Sequence, residues 1–407
     1  MTGSPSRVLP DGAGRPGPHV TVEAVPGDDA AAERLCARQQ AELAVRYGEP
    51  DTGRFTADAT LANVVVREDG EPVAFVALRD VSGTPDGRGG THPARTGEVK
   101  RLWVEPDHRG HGHARTAMRA VHRHAVEAGL ERVVLETGTL QPESIDLYLS
   151  LGYVPIESYG HYAGHPLSRC FALDLGTRDA GVDTDGADET PTTNSGLGTR
   201  DARTTGTPSA SATVPARGVV EVRAVAWDDP DAAALRREMH ETSSAMLYPE
   251  LFAGLEAAGG FDAVDARLGD DVVTTLVAYR DGEAVGCASL RRPAAGAPAD
   301  ALEVKKVFVR ERARRTGTAR RLLDALEAVA RERGVSTLLL ETGIRQPGAI
   351  ALYRSLGYRA VEPFPPYVGD NPVALCFAKP LVRGPRQGPV RGVPDMPALS
   401  GPARVSP

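Results

Sequence analysis

From Glu98 the chain reads EVKRLWV (98–104), EPDHRGHGHA (105–114), a helix-like stretch, VVLETGTLQPE (133–143) and LYLSLGY (147–153). The same order returns as EVKKVFV (303–309), RERARRTGTA (310–319), LLLETGIRQPG (338–348) and LYRSLGY (352–358). Arg314, Glu341 and Tyr353 each follow their counterparts Arg109, Glu136 and Tyr148 by 205 residues. Self-similarity at a fixed offset over so many landmarks implies two domains of one fold.

Working outward, the strand Glu98 to Val104 enters a glycine loop. The helix after it carries Ala114, Met118, Val121 and Ala125 at helical spacing, so one apolar face packs on a sheet. Gly129 and Gly334 are placed to end these helices in the left-handed conformation. A strand Arg132 to Glu136 follows, then a short helix opened by Pro142 and closed by Gly152, and a last strand from Ser168 to Leu173.

Upstream, His19 to Val25 alternates as a strand and Asp28 to Arg46 reads as a helix. Val220 to Val225 and a helix from Asp229 repeat that opening. Leu61 to Arg67 and Pro72 to Leu78 form a hairpin through Asp69-Gly70, matched by Thr275 to Arg280 and Ala284 to Leu290 around Asp281-Gly282. Residues 82–97 form a polar loop rich in Gly and Pro.

Residues 176–217 hold no aromatic side chain and are dominated by Thr, Gly, Asp, Ala, Ser and Pro, the composition of a flexible linker. Residues 1–18 and 383–407 read as disordered tails, the first without the apolar core of a signal peptide. The expected division is therefore domain 1 at 19–175 and domain 2 at 218–382, each a mixed α/β sheet flanked by helices. At 407 residues there is room for two ordinary cores.

Bulk properties exclude several classes. A net charge of −7 gives no global attraction to nucleic acid or anionic lipid. No apolar run approaches the roughly 20 residues that span a bilayer, which points to a cytoplasmic protein. Cys36, Cys170, Cys287 and Cys376 form no CxxC pair, so buried free thiols are expected rather than a zinc or disulfide framework.

A strand running through a glycine-rich loop into a helix gathers free backbone N–H groups and the positive helix end at one point, which suits a phosphate. A dinucleotide fingerprint fails because its third glycine position holds Arg115, and a P-loop fails for want of Gly-Lys-Ser/Thr. His108, His111 and His113 become Ala313, Thr316 and Thr318 in the second copy, whereas Arg109, Gly112 and Ala114 persist as Arg314, Gly317 and Ala319. The histidine side chains therefore read as dispensable, no metal is expected, and the backbone carries the role. Arg315 in place of Gly110 makes the second loop less permissive, so the first is the surer site.

The combination of R-x-x-G-x-A, a strand ending in Glu-Thr-Gly and a helix with L-Y-x-x-x-G-Y resembles the GNAT superfamily of acyl-CoA-dependent N-acetyltransferases, over nearly the whole of both domains. The resemblance implies acetyl-CoA in a wedge between Glu98 to Val104 and Arg132 to Glu136. It places the pantetheine and thioester along Leu102 and Val104, or Val307 and Val309. The pyrophosphate would lie on Arg109, Gly110, His111, Gly112, His113 and Ala114, or on Arg314, Arg315, Thr316, Gly317, Thr318 and Ala319.

The resemblance also implies Tyr148 and Tyr353 as acids that protonate the leaving thiolate. A phenol, with an ordinary pKa near about 10, keeps its proton at neutral pH. A packed core tyrosine is the competing reading. Glu98 and Glu303 are the expected bases, with Glu136 and Glu341 as competitors; each could instead pair with Lys100 or Lys305. The expected acceptor is a primary amine of a small molecule or amino-acid-like compound, attacked directly. Two rival readings are a mycothiol-synthase-like tandem enzyme, against which the long linker argues, and a non-catalytic acyl-CoA sensor.

Overall fold

The computed structural model describes residues 17–48, 60–176, 219–369 and 371–381. The expected linker and tails lie outside these apart from residues 17, 18 and 176. The first half runs β1 (Val20–Val25), α1 (Ala30–Tyr47), β2 (Thr60–Glu68), β3 (Glu71–Asp80), β4 (Thr96–Val104), α2 (His113–Glu127), β5 (Arg132–Gly138), α3 (Pro142–Ser150), β6 (Val154–Ile156) and β7 (Ser168–Asp174). The second runs β8 (Val220–Val225), α4 (Pro230–Met239), α5 (Ala245–Leu247), α6 (Gly260–Leu268), β9 (Val272–Arg280), β10 (Glu283–Arg291), β11 (Ala301–Val309), α7 (Thr318–Glu332), β12 (Thr337–Gly343), α8 (Pro347–Ser355), β13 (Arg359–Ala360) and β14 (Ala374–Pro380).

Each half is one seven-stranded mixed sheet, ordered β1-β2-β3-β4-β5-β7-β6 in the first and β8-β9-β10-β11-β12-β14-β13 in the second. The fold expected from the sequence is present twice. Asp29 and Asp229 start α1 and α4 by accepting two backbone N–H bonds each. The hairpin tips adopt the expected left-handed pair, with φ of 50° and 89° at Asp69 and Gly70 and of 52° and 80° at Asp281 and Gly282. The short strands β6 and β13 and the helix α6 were not expected. Two or three residues of strand, or nine of helix without a strong apolar stripe, leave little periodicity to read.

Helix α2 buries Ala117, Met118, Val121 and Ala125 against Val64, Val66, Val76 and Leu78. On the opposite face α1 lays Leu35 over Val65, Phe75 and Trp103. Full burial of each such large side chain stabilises the fold by about 1.5–3 kcal/mol. Cys170, Cys287 and Cys376 are buried and Cys36 half-buried, none of them in a disulfide.

The central parallel pair is short. β4 and β5 align only over Thr96↔Arg132, Gly97↔Val133 and Glu98↔Val134, and β11 and β12 stop at Val304↔Leu340. Past those points the strands diverge. The turning residues are Arg101 and Lys306, at the bulges in β4 and β11, with φ of 60° and 55°. A bulge bends its strand and leaves local ladder groups unpaired, which opens a wedge beside β5 and β12.

The long linker argues for independent halves, and the structure corrects this. Arg169, buried at the start of β7, donates from Nε to the Ala374 carbonyl and from Nη2 to the Asn371 carbonyl, both at 2.8 Å. The Ala360 N–H donates to the Asp146 carboxylate at 3.1 Å, and Arg345 Nε lies 2.5 Å from Glu157. Apolar side chains of both halves, including Tyr148, Leu149, Val373 and Ile350, join in one cluster. A linker sets how far two domains can separate, not whether their surfaces fit, so its composition carried no information about this contact.

Candidate active sites

Each wedge ends at a helix start with no side-chain cap. Gly112 precedes α2 at φ 88° and Gly317 precedes α7 at φ 83°, both left-handed, and a Cβ on either would project into open space. The first N–H groups of the helices therefore face outward with room before them. This is a fitting cradle for a diphosphate, since amides and helix dipole act together. Arg315, expected to narrow the second loop, holds φ 59° where Gly110 has 84°. The loop keeps one shape at a cost of about 1 kcal/mol for the non-glycine residue.

Arg109 and Arg314 donate from Nε to the carbonyls of Val104 and Val309, at 3.1 and 3.0 Å. These side chains pin the loop to the end of its strand. Arg109 also reaches Glu42 at 2.8 Å and stacks over Trp103.

In the first half a cleft of about 380 Å³ is lined by Leu102, Val104, Arg109, Gly110, Gly112, His113 and Ala114. In the second, about 790 Å³ is lined by Val307, Val309, Arg314, Arg315, Gly317, Thr318 and Ala319, and it continues to Lys305, Lys306, Glu341 and Tyr353. The expected binding residues thus gather at the two clefts, except that His111 and Thr316 line neither. Among the described residues the cleft of the second half is the larger and reaches further along its wedge.

The glycine of each Glu-Thr-Gly has a specific cause. A Cβ on Gly138 would meet Tyr47 Oη at 1.8 Å, and one on Gly343 would meet Tyr248 Oη at 2.0 Å. Tyrosines from outside the duplicated core motif thus seal each strand end. Tyr248 accepts the Arg345 N–H at 2.8 Å, and Gln141 donates to Tyr47 at 3.3 Å.

Tyr148 and Tyr353 lie on α3 and α8, and burial pushes both phenols well above their ordinary pKa. Among the described residues neither hydroxyl has a hydrogen-bond partner, although both rings pack on neighbours: Tyr148 on Tyr153 and Phe171, Tyr353 on Tyr358. Tyr353 lines its cleft and Tyr148 does not line the first.

The strand glutamates differ from expectation. Glu98 is 1% exposed; Arg79 Nε donates to Oε2 at 2.6 Å and Tyr159 Oη to Oε1 at 3.0 Å. Glu303 is fully buried, taking Arg291 Nε at 2.7 Å and Tyr367 Oη at 2.6 Å. Both carboxylate oxygens of each residue are thereby engaged away from solvent. Lys305 lies 3.6 Å from both Glu303 and Glu341 and donates to Tyr367 at 2.7 Å, whereas Lys100 approaches Glu98 only to 3.9 Å and bonds Tyr162. The tyrosine partners were missed because they come from the loop before the last strand, some 60 positions away, where nothing in the local pattern marks them.

A family model for GNAT acetyltransferases matches residues 32–153 and again 238–358. The chain belongs to the GNAT acetyltransferase family. Among curated relatives, a segment of 106 residues is 45% identical to an IAA acetyltransferase of Azospirillum brasilense, covering 26% of this chain and 67% of that one. Another of 111 residues is 35% identical to N-acetyltransferase family 8 member 2 of Rattus norvegicus, covering 27% of this chain but only 45% of the relative. A solved IAA acetyltransferase from Bacillus cereus aligns with 40% of this chain and all of its own, at 18% identity and a TM-score of 0.29. Among the described residues of this GNAT protein, no helix is long and apolar enough to cross a membrane.

Proposed function

We propose that the chain transfers an acetyl group from acetyl-CoA to a primary amine of a small molecule or amino-acid-like compound, and that the second half is the principal catalytic unit. One observation carries this: a single cleft joins the uncapped start of α7 to Tyr353 and Glu341. The donor thioester, when bound, supplies an activated acyl carbon. The residues that would hold it are the amides of 314–319 and the diverging face of β11; in the first half they are those of 109–114 and β4.

Direct attack requires a neutral amine and a protonated leaving group. Glu341, half-buried at the wedge, is placed to take the amine proton, directly or through water. Tyr353, kept protonated by burial, gives a proton to the departing thiolate. Glu303 is assigned a positioning role, because its oxygens already hold Arg291 and Tyr367, through which it fixes Lys305. Glu136, Tyr148 and Glu98 hold the same places in the first half. The locked contact between halves removes the objection to a mycothiol-synthase-like acceptor, which stays the second reading.

Thiol release from acetyl-CoA against an amine panel tests the proposal. Turnover of at least one amine, lost on Glu341→Gln and on Tyr353→Phe, is expected. Binding of acetyl-CoA without turnover of any amine, unaffected by either variant, would favour the sensor reading.

A further inference from the structure

At the tip of the first hairpin, the Glu68 carboxylate Oε2 lies 2.6 Å from His108 Nδ1 and 3.0 Å from His113 Nε2. His111 completes the group, its ring 6.1 Å from that of His113, and one donor atom from each of the four residues lies within 4.8 Å of the others. His113 is buried, Glu68 and His108 are half-buried, and His111 is exposed. Three come from the loop and first turn of α2, and Glu68 from the end of β2.

The second half builds the same node from different chemistry. Arg280, just before the Asp281-Gly282 tip, stands where Glu68 stands before Asp69-Gly70. Its guanidinium reaches Thr316 Oγ1 at 2.5 Å and Thr318 Oγ1 at 3.5 Å, while Ala313 replaces His108. All four positions thus differ together: a carboxylate with three imidazoles in one half, a guanidinium with two hydroxyls in the other. The histidines read as dispensable when the loops alone are aligned, because their partner on β2 changes with them.

We propose that Glu68, His108, His111 and His113 bind a divalent transition-metal ion, zinc by its donor chemistry. Imidazole nitrogens and a carboxylate oxygen are borderline donors suited to zinc, and four protein ligands make a closed tetrahedral set. Bonds of about 2.0–2.2 Å require donor atoms roughly 3.3 Å apart. Glu68 Oε2 therefore opens slightly from His108 and His113 on binding, while exposed His111 closes in on them. A dipositive ion with one carboxylate leaves a single net positive charge, which is the charge Arg280 brings to the other loop. Each loop would then carry one fixed cation beside its amide cradle. With no open coordination position, the ion holds loop 108–113 against the hairpin and does no chemistry on a substrate.

The proposal does not rest on acetyl transfer. Tag-free full-length protein, stripped with a chelator, is titrated with zinc against a chromophoric chelator, and with cobalt to read the coordination geometry. One equivalent of zinc and an intense tetrahedral cobalt spectrum are expected. His111→Ala and Glu68→Gln should each weaken binding at least tenfold. His111 is exposed, so its variant keeps the fold, verified by unchanged thermal unfolding in excess chelator. Wild-type affinity no greater than that of the variants, or a purely octahedral cobalt spectrum, would overturn the site.

Discussion

Arg169 Nε donates a 2.8 Å hydrogen bond to the carbonyl of Ala374, the residue that opens the matching strand of the second copy. The two last long strands of the sheets therefore begin at the contact between halves. Among the described residues the Arg169 guanidinium serves four carbonyls, those of Pro166, Ser168, Asn371 and Ala374. Burial lowers its pKa to about 10. Arg169→Met removes every donor at once, and hydrogen bonds from a charged group are worth about 1.5–3 kcal/mol each. Calorimetry is expected to show one unfolding transition in the wild type and two in the variant. A single unshifted transition in the variant would mean that other contacts couple the halves.

A buried ion pair ties α4 to α6 in the second half. Arg236 binds Asp265 through Nε and Nη2 at 3.0 and 2.7 Å, with its guanidinium 3.7 Å from the Trp227 ring centre. Both residues are buried, so removing one partner strands a charge. Asp265→Ala should cost about 3–5 kcal/mol, and Arg236→Met with Asp265→Leu distinctly less. Denaturant titration of the three proteins checks the order. Equal losses would show that packing on Trp227, not charge, dominates.

Tyr353→Phe should lower kcat by about 10²-fold or more with little change in KM for acetyl-CoA, as expected for loss of a general acid. Tyr148→Phe should change the total rate much less, because among the described residues the cleft of the first half stops short of Tyr148. Steady-state kinetics on the best amine decides this. Equal effects would restore the first half as an equal catalyst.

Lys306, at the β11 bulge, has its pKa lowered to about 8 by burial and then by the like charge of Lys305. Its ordinary value is about 10.4. Between these values the unfolded chain holds the proton more often than the folded one, so folding stability gains with rising pH across that window. Relative to Lys306→Met, the wild type should become more stable from about pH 8 to about 10.4. Chemical denaturation at several pH values tests it, and a pH-independent difference would refute the shift.

The parts legible in the sequence are those a local pattern encodes: alternating strands, the Asp-Gly tips, and the glycine loops whose positive φ only a few residues tolerate. Duplication made them more readable, since shared positions such as Gly112 and Gly317 declared themselves. Position-specific packing was not legible. Glu98 looks like any strand carboxylate until Arg79 and Tyr159 close on it, and Glu68 joins three histidines across some 40 residues that no motif spans. Arg101, Lys306 and Arg315 adopt left-handed backbone that their side chains do not advertise. Arg169 joins the halves through bare carbonyls, which leave no compositional trace.

The central claim is that both loops are acyl-CoA cradles made of backbone. Counting acetyl-CoA bound to the full-length chain by equilibrium dialysis tests it most directly, using Gly112→Asp, Gly317→Asp and the double variant. A Cβ at either position enters open space before the helix, so an aspartate places bulk and like charge where the diphosphate would lie. Two equivalents are predicted for the wild type, one for each single variant and none for the double. Two equivalents retained by the double variant would contradict the account.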